Sequence, residues 1–380
     1  MSASRPLRIA FVADTVHSAS GGGIRSAEQF VERLREEHQV ITVSADEGGA
    51  LRPLHLPVRA MQEMHFVMAR PDRDVLAQAF EGVDLVHVQF PFWLGFAAVD
   101  VARRLGRPVV AAFHVQPENV LLNVGLRAQW LDDALYDAVV ARLYNRVDGV
   151  VCPTAFARDK LLSHGLRTPA LVVSNGVSPD VAQVAEEAAP PRRRADAPFT
   201  ILAVGRLAAE KRQDVIVEAV RRSRHAAHIR LVLAGRGPRE DALRELARSL
   251  PNGAEVGFLS RPALLRELAL ADLFVHASEV ELEGMAVLEA MSVGVPAVVA
   301  DAPESAASEL ALDARLRFPA GDAAALAAVL DEVIDRPLLL QSARRRARAQ
   351  ARHYDFDTCV RRLVEGYRSV IDRRAAGLSS

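Results

Sequence analysis

Two carboxylates beside a glycine-opened helix are the residues of this chain best placed to do chemistry. Glu281 precedes Gly284, where a segment with apolar residues at helical spacing begins, and Glu289 lies eight residues after Glu281. Unpaired amides at a helix start form a positive end that suits a diphosphate. The carboxylates would repel that phosphate, but they accept hydrogen bonds from sugar hydroxyls, so one could hold a hexose and the other a ribose. Alternatively, they only complement the helix dipole.

Two cations are predicted to reach the same crevice. Arg206 directly follows a predicted strand, and Lys211 starts the next helix. Arg206 can bind a phosphate as a bidentate fork, and Lys211 can bind one as a point charge. Either residue alone is an ordinary surface cation. Together with Glu281, Gly284 and Glu289 they favour a site for a diphosphate that carries a sugar.

The first half of the chain places polar residues at predicted strand ends. His87 and His114 each lie at the end of a predicted parallel strand. Ligands bind at the carboxyl ends of the strands in an open parallel sheet, although a lone histidine is more often a satisfied core residue. A glycine run that includes Gly22 and Gly23 follows the first strand, where it would let backbone amides approach a ligand closely.

The composition is that of an ordinary globular protein. The chain has 380 residues, of which 50% are hydrophobic and 25% charged, so it can form two domains. A net charge of -1 argues against a nucleic-acid partner. The first apolar run ends at Asp14, too early for a signal peptide, and no window has the ~20 apolar residues of a spanning helix. Lysine is nearly absent, which we attribute to genome composition. We expect a cytoplasmic protein, at most peripheral at the inner membrane face.

No metal site is expected. The triplet Asp72-Arg73-Asp74 could be mistaken for a metal-binding aspartate pair, but it lies in a charged stretch typical of a solvated turn or helix start. Cys152 and Cys359 are far apart in sequence and lack metal-ligand spacing, so we expect two buried, reduced thiols.

Strands and helices alternate along the chain, which predicts an α/β protein with two doubly wound, Rossmann-like domains enclosing a cleft. The alternation stops between residues 177 and 198, where prolines and an arginine triplet indicate a linker. The expected boundaries are a first domain at 1–178, a linker at 179–198, a second domain at 199–352 and a C-terminal helical segment at 353–380.

These motifs together resemble glycosyltransferase family 4, a large family of retaining glycosyltransferases with the GT-B fold. The resemblance extends over nearly the whole chain. It departs from the family pattern at Ser260, Glu283 and residues 302–307, which leaves the donor sugar open. The similar segments are GGG from Gly21, HVQPEN from His114, SNGV from Ser174, VGRLAAEK from Val204, AGRGP from Ala234 and ELEGMAVLE from Glu281.

The resemblance implies roles for individual residues. It implies an acceptor side in the first domain, a nucleotide-sugar site in the second, and a final helix that crosses back to the first. Arg206 and Lys211 would bind the donor pyrophosphate, Glu281 the sugar hydroxyls and Glu289 the ribose. The expected catalytic residues are His114, Arg206, Lys211 and Glu281; the expected donor-binding residues are Gly22, Gly23, Gly205, Gly235, Leu259, Gly284, Met285, Ala286 and Glu289.

A retaining transfer by a front-face route is the favoured mechanism. The leaving phosphate then takes the acceptor proton, and the protein mainly orients the reactants and stabilises the developing charge. No metal or other cofactor is required beyond the nucleotide-sugar co-substrate, because two cations and a helix end already face the leaving group. An inverting route would need a base, for which Asp14, His17 and His114 are the candidates.

The donor base and the acceptor stay open. A UDP-sugar is favoured over GDP-mannose, and the acceptor is either a small molecule, such as a secondary metabolite, or a diacylglycerol-type envelope lipid. A basic helix predicted at residues 342–352 could touch a membrane. A sugar-nucleotide epimerase and a non-catalytic sugar-nucleotide-binding protein are the alternatives from other classes. The presence of both Lys211 and Glu281 argues against a protein that has lost turnover.

Overall fold

The protein is described from a computed structural model, which describes residues 5–16, 22–46, 48–54, 67–123, 128–187 and 197–377. The chain divides into two compact units. The first unit comprises Met1–Asn175 and Asp357–Ser380, and the second comprises Gly176–Phe356.

The first unit contains a six-stranded parallel sheet with the order β2-β1-β5-β6-β7-β8. The order reverses between β1 and β5, which makes this the topological switch point where an open α/β sheet binds ligands. A short antiparallel pair, β3 and β4, lies outside the sheet. The strands are Arg8–Val12 (β1), Gln39–Val43 (β2), Pro53–Leu54 (β3), Met68–Ala69 (β4), Leu85–Val88 (β5), Val109–Ala112 (β6), Gly149–Cys152 (β7) and Ala170–Val172 (β8).

Helices connect these parallel strands, as parallel pairing requires. The side chains of β5, β6 and β7 are buried throughout, which is why these strands read as continuous apolar runs. The helices of the first unit are Gly22–Glu37, Arg73–Ala79, Trp93–Arg104, Pro117–Asn123, Gln129–Arg142, the 3-10 turn Tyr144–Arg146, Ala155–Ser163 and, after the second unit, Phe356–Ala375.

The second unit repeats the plan with a parallel sheet of order β11-β10-β9-β12-β14-β16 and a parallel two-residue pair, β13 and β15. Its switch point lies between β9 and β12. The strands are Phe199–Val204 (β9), Ile229–Ala234 (β10), Glu255–Gly257 (β11), Leu273–His276 (β12), Val280–Glu281 (β13), Ala297–Asp301 (β14), Glu304–Ser305 (β15) and Arg317–Pro319 (β16).

The helices of the second unit pack an apolar core on this sheet. They are Pro179–Glu187, Gln213–Arg222, Glu240–Ala247, Arg261–Leu270, Met285–Ser292, Ala323–Asp335 and Pro337–Ala351, with 3-10 turns at Ala209–Lys211, Ala226–His228, Ala306–Leu310, Ala314–Leu316 and Arg352–Tyr354.

The segment expected to be a linker begins instead with a helix, Pro179–Glu187. Ser178 donates to Asp180 at 2.6 Å, and the same carboxylate accepts the amide of Val181 at 3.0 Å, so the first turn is capped. Val181 is fully buried in the second core. The prediction of a patternless segment was therefore wrong for residues 179–187, and residues 188–196, which include the arginine triplet, lie outside the described residues.

Three of the four arginines of the basic helix near the C-terminus, Pro337–Ala351, bond to other residues of the second unit. Arg344 pairs with Asp272 at 3.0 Å, Arg346 donates to the backbone oxygen of Leu312, and Arg348 donates to that of Val293 at 3.2 Å. Within the described part of the chain, none of the helices is long and apolar enough to cross a membrane.

Candidate active site

The loops that follow β9 and β10 are hydrogen-bonded to each other beside the switch point of the second sheet. Gly205 follows β9 and donates its amide to Ala234 at the end of β10, at 3.0 Å; Leu207 donates to Arg236 at 2.8 Å. The backbones approach so closely that a Cβ on Gly235 would lie 1.8 Å from the Gly205 oxygen. Glycine is therefore required at position 235 because any side chain would collide with backbone.

Arg206 is held beside the switch point by a buried glutamate. Its guanidinium donates to Glu210, whose side chain is 1% exposed, and its backbone oxygen accepts from the Gln213 amide at 2.9 Å. Arg206 itself keeps 28% of its side chain exposed. A buried carboxylate that neutralises part of an exposed guanidinium fixes its direction without covering it.

Lys211 and Glu281 meet on the two sides of the switch point. Lys211 follows β9, Glu281 follows β12, and Nζ of the lysine lies 2.7 Å from Oε2 of the glutamate. Nε2 of the buried His276, the last residue of β12, lies 3.3 Å from the same oxygen. Although burial opposes ionisation, Lys211 and His276 hold the pKa of Glu281 well below its usual range. The Glu281 carboxylate is therefore ionised at neutral pH, and the pair is half-buried.

Gly284 begins the helix Met285–Ser292 with a left-handed backbone, φ 84°, which favours glycine. No side chain of the described residues caps this helix, and its first ordered amide bonds run from Val287 and Leu288 to the Gly284 oxygen. The amides of Met285 and Ala286 lie in the first turn, so this helix end can donate to an anion.

Glu289, on the same helix, belongs to a second charged cluster. Arg261 donates to its Oε1 at 3.1 Å and makes a two-pronged pair with Asp180 at 2.6 and 2.7 Å. Burial lowers the pKa of Arg261, but the carboxylates of Asp180 and Glu289 outweigh this effect and raise it above its usual value. Glu289 is 13% exposed, so it has an oxygen within reach of a ligand while Arg261 stabilises its charge.

A flat surface beside β11 completes the second unit's ligand edge. Phe258 is 56% exposed, and the guanidinium carbon of Arg236 lies 4.1 Å above its ring centre. Leu259 and Val232 line a shallow pocket next to it. Aromatic, guanidinium and apolar surfaces of this kind can stack against a base.

The corresponding edge of the first unit carries two histidines in place of the paired cations. His87 is 2% exposed; its ring nitrogens lie 2.9 Å from Gln89 Oε1 and 2.8 Å from the Tyr367 hydroxyl. The neutral tautomer with Nε2–H satisfies both bonds, and burial lowers the pKa of His87 to about 4. His87 is thus a satisfied core histidine rather than a ligand group at the strand end.

His114 is only half-buried and lines a small pocket with His87, Gln89 and Asn175. Burial, aided by His87, lowers its pKa to about 3, so His114 is a neutral imidazole at physiological pH. Asp14 is buried at the end of β1, where burial raises its pKa to about 6 against the lowering effect of the Ala69 amide at 3.0 Å.

The glycine run lies only partly within the described residues. Gly22 and Gly23 begin the helix Gly22–Glu37. His17 and Gly21 lie outside the described residues, so the structure adds nothing to the role proposed for them.

Two comparisons of the sequence with protein families agree with this geometry. The family described as Glycosyltransferase Family 4 matches residues 20–181, and Glycosyl transferases group 1 matches residues 184–353. The chain belongs to this family of glycosyltransferases. The prediction from the motifs is confirmed.

The relatives of this glycosyltransferase differ in the ligands and products that their names state. Alpha-monoglucosyldiacylglycerol synthase of Streptococcus pneumoniae is 28% identical over 57% of the chain, which spans about half (51%) of that relative. GDP-mannose-dependent alpha-mannosyltransferase of Mycolicibacterium smegmatis is 28% identical over 78% of the chain and 80% of its own length. Anabaena HepE, solved with UDP and glucose, covers 96% of the chain and all of its own, at 18% identity and a TM-score of 0.70. That likeness confirms the two-domain GT-B fold.

Three residues that contact the predicted site residues were missed by the sequence analysis. Glu210, His276 and Arg261 contact Arg206, Glu281 and Glu289 respectively. Glu210 lies between two predicted site residues and could have been found from that position. Arg261 could not, because its partners lie 28 and 81 residues away.

Among the described residues, no group of three or more metal-ligating side chains comes together. The triplet at residues 72–74 has a structural role instead. Asp72 caps the helix Arg73–Ala79 by accepting the amides of Asp74 and Val75 at 3.0 and 3.2 Å.

Proposed function

We propose that this glycosyltransferase moves a hexose from a nucleotide sugar to a hydroxyl acceptor with retention of configuration. The observation that carries the proposal is the Lys211–Glu281 pair at the switch point of the second sheet, 2.7 Å across, beside Arg206 and an uncapped helix end. Positive groups gathered at a switch point suit a diphosphate, while the carboxylate beside them suits hydroxyl groups.

A bound donor would replace the contact between Lys211 and Glu281. The diphosphate takes Lys211 and Arg206, and Glu281, now without its lysine, accepts hydrogen bonds from the sugar hydroxyls. Glu289, whose charge Arg261 stabilises, accepts from the ribose. The exposed ring of Phe258 and the side chain of Leu259 lie where the base would stack.

In the transfer step the acceptor oxygen bonds to the anomeric carbon as the bond from that carbon to the phosphate oxygen breaks. The acceptor proton passes to the departing phosphate on the same face of the sugar. Arg206, Lys211 and the amides of Met285 and Ala286 stabilise the charge that develops on the diphosphate. His114, neutral near pH 7, can donate a hydrogen bond without attracting the anionic leaving group. The names of the pneumococcal and mycobacterial relatives, both for alpha products, support retention.

An inverting reaction would need a base in the first unit. The described candidates are His114, whose pKa is lowered to about 3 and which is therefore a weak base, and Asp14, whose pKa is raised to about 6. Asp14 is 1% exposed, and its Oδ1 already accepts the Ala69 amide. We therefore retain the front-face route.

For the donor we favour a UDP-sugar, with GDP-mannose as the alternative, because relatives of both kinds occur. The pneumococcal relative supports a diacylglycerol-type acceptor, with a soluble aglycone as the second candidate. We place the protein in the cytoplasm, where its buried thiols Cys152 and Cys359 stay reduced, with peripheral contact to the inner membrane face if the acceptor is a lipid.

The test is thermal stabilisation by a panel of UDP-, GDP- and ADP-sugars, because a ligand that binds only the folded state raises the midpoint. We expect one nucleotide class to raise it and the Arg206→Ala variant to lose the shift. Transfer to diacylglycerol in mixed micelles and to a panel of soluble hydroxyl compounds is then assayed with that donor. The absence of a shift with every sugar nucleotide would contradict the proposal.

A further inference from the structure

The first unit contains a half-buried ion pair that the reaction described above does not use. Nζ of Lys160, on the helix Ala155–Ser163, lies 3.2 Å from Oε1 of Glu118, and the side chains are 14% and 8% exposed. The other carboxylate oxygen of Glu118 accepts from the Tyr136 hydroxyl at 2.9 Å. Burying two charges costs desolvation free energy, so such a pair is weak evidence for a purely stabilising role.

The pair is joined to the segment that carries His114. Glu118 is the second residue of the helix Pro117–Asn123, and Phe113, directly before His114, packs edge-on against the Tyr136 ring at 6.1 Å. Nζ of Lys160 lies 5.2 Å from the centre of that ring, and the Tyr136 ring stacks on His164 at 4.6 Å. Both ends of residues 113–118 are therefore held by one cluster around Tyr136.

Composition adds an independent observation. Of the 47 lysines and arginines in the chain, Lys160 and Lys211 are the two lysines. Both form pairs with shielded glutamates: Lys211 with Glu281 at 2.7 Å and Lys160 with Glu118 at 3.2 Å. An ammonium is a compact charge, whereas a guanidinium is a larger planar fork that would overfill a packed site between a carboxylate and a ring. Genome composition accounts for the rarity of lysine, and both lysines lie opposite a shielded glutamate.

We propose that Lys160 and Glu118 are positioning residues for transfer: they fix the segment 113–118 and thereby the ring of His114 on the acceptor side. The proposal rests on the proposed function, for which His114 lies beside the transferred sugar. A displacement of about 1 Å in such a group costs on the order of 100-fold in rate.

The experiment compares Lys160→Met with the double variant Lys160→Met/Glu118→Gln. The single variant leaves a buried carboxylate without its cation, so both its thermal midpoint and its turnover fall. The double variant removes both charges, so its midpoint recovers, but we expect kcat/KM for the acceptor to stay about 100-fold low while the donor dissociation constant is unchanged. Arg158→Met, a cation on the same helix that pairs with the exposed Asp159, is the matched control and stays at wild-type values.

A second readout reports on His114 without any turnover. The ring resonances of His114, assigned with His114→Gln in 13C-histidine-labelled protein, shift in both Lys160 variants and not in Arg158→Met. Recovery of turnover together with the midpoint in the double variant, or an unchanged His114 ring, would overturn the proposal and leave a structural pair. If the wild-type protein turns over no donor, the proposed function fails, and the His114 resonance alone then decides the positioning role.

Discussion

The carboxyl edges of the two sheets have the same strand order at their switch points. They differ in their side chains: the second edge carries paired cations, and the first carries neutral histidines. In the second unit, Arg206, Lys211 and Arg261 each pair with a carboxylate and stay partly exposed. In the first unit, His87 and His114 have pKa values lowered to about 4 and 3, so both are neutral. The second edge therefore carries fixed cations, whereas the histidines of the first edge carry no charge.

In the proposed sugar transfer, the edge with paired cations corresponds to the donor, and the edge with neutral histidines corresponds to the acceptor. A nucleotide diphosphate is negatively charged, so it needs cations that are fixed in position and accessible to the ligand. Pairing with carboxylates keeps those cations oriented before the ligand binds. In the proposed reaction the hydroxyl acceptor brings no charge, and its proton leaves with the diphosphate. A cationic histidine on the acceptor side would compete with the donor site for the leaving group.

The largest effect on activity is expected when the charge of Lys211 is removed. We expect Lys211→Met to lower kcat/KM by about 1,000-fold, the loss typical of a group that stabilises charge in the transition state. Arg224→Met is the control, because Arg224 also pairs with a carboxylate, Asp335, in the second unit. Equal losses in the two variants would mean that charge in general, and not this site, matters.

Glu281→Gln is expected to have the next largest effect on turnover. The substitution keeps the shape of the side chain but weakens the hydrogen bonds that it accepts from sugar hydroxyls. We expect turnover to fall about 100-fold. The folded-state pKa of Glu281 is lowered, so its contribution to stability is present above the unfolded pKa of about 4.5 and is lost as pH falls below it.

Denaturant titrations of this variant at pH 7 and pH 4 check the stability part. The difference in unfolding free energy between wild type and variant should shrink at the lower pH. Glu245→Gln, at an exposed glutamate paired with Arg248, is the matched control. Equal loss of stability and turnover in Glu281→Gln would assign the residue a structural role.

Arg261→Gln tests the ribose end of the charged edge. Without Arg261 the charge of Glu289 is less stabilised and its position is less fixed, so we expect the donor KM to rise about tenfold with little change in kcat. Arg266→Gln, an exposed arginine on the same helix, is the control. A change in kcat alone would contradict the assignment of Glu289 to donor binding.

The smallest effect on turnover is expected from His87, on the neutral edge. Its folded-state pKa of about 4 lies below the unfolded value of about 6.5, so the stability it contributes is present above pH 6.5 and lost as pH falls toward 4. His87→Gln should therefore remove about 2 kcal/mol of pH dependence between pH 7 and 4.5, measured by denaturant unfolding. The same change at the exposed His353 is the matched control.

Much of this arrangement could be predicted from sequence because parallel strands bring their carboxyl ends to one edge. The strand pattern placed Arg206, Lys211 and Glu281 at a common crevice, and the structure joins Lys211 to Glu281. The GT-B fold and the family were likewise predicted and are confirmed. The roles of His114 and the donor-binding residues stay predictions.

The remaining features depend on packing between distant segments, which local patterns do not encode. The strand-end rule treated His87 and His114 alike, but the Tyr367 hydroxyl, 280 residues from His87, makes one a core residue. The helix Pro179–Glu187 escaped notice because prolines and charges mask an apolar stripe. Arg261 reaches Glu289 only because the helices Pro179–Glu187 and Met285–Ser292 supply both of its carboxylate partners.

The most direct test of the charged edge is a titration series by calorimetry with the nucleoside, its monophosphate and its diphosphate, using the base that stabilises the wild-type protein. The proposed site predicts that affinity rises with each phosphate and that Lys211→Met removes most of the gain due to the second phosphate, while nucleoside binding is unchanged. An equal loss of affinity for all three ligands in Lys211→Met would contradict the assignment of Lys211 and its partner Glu281 to the donor diphosphate.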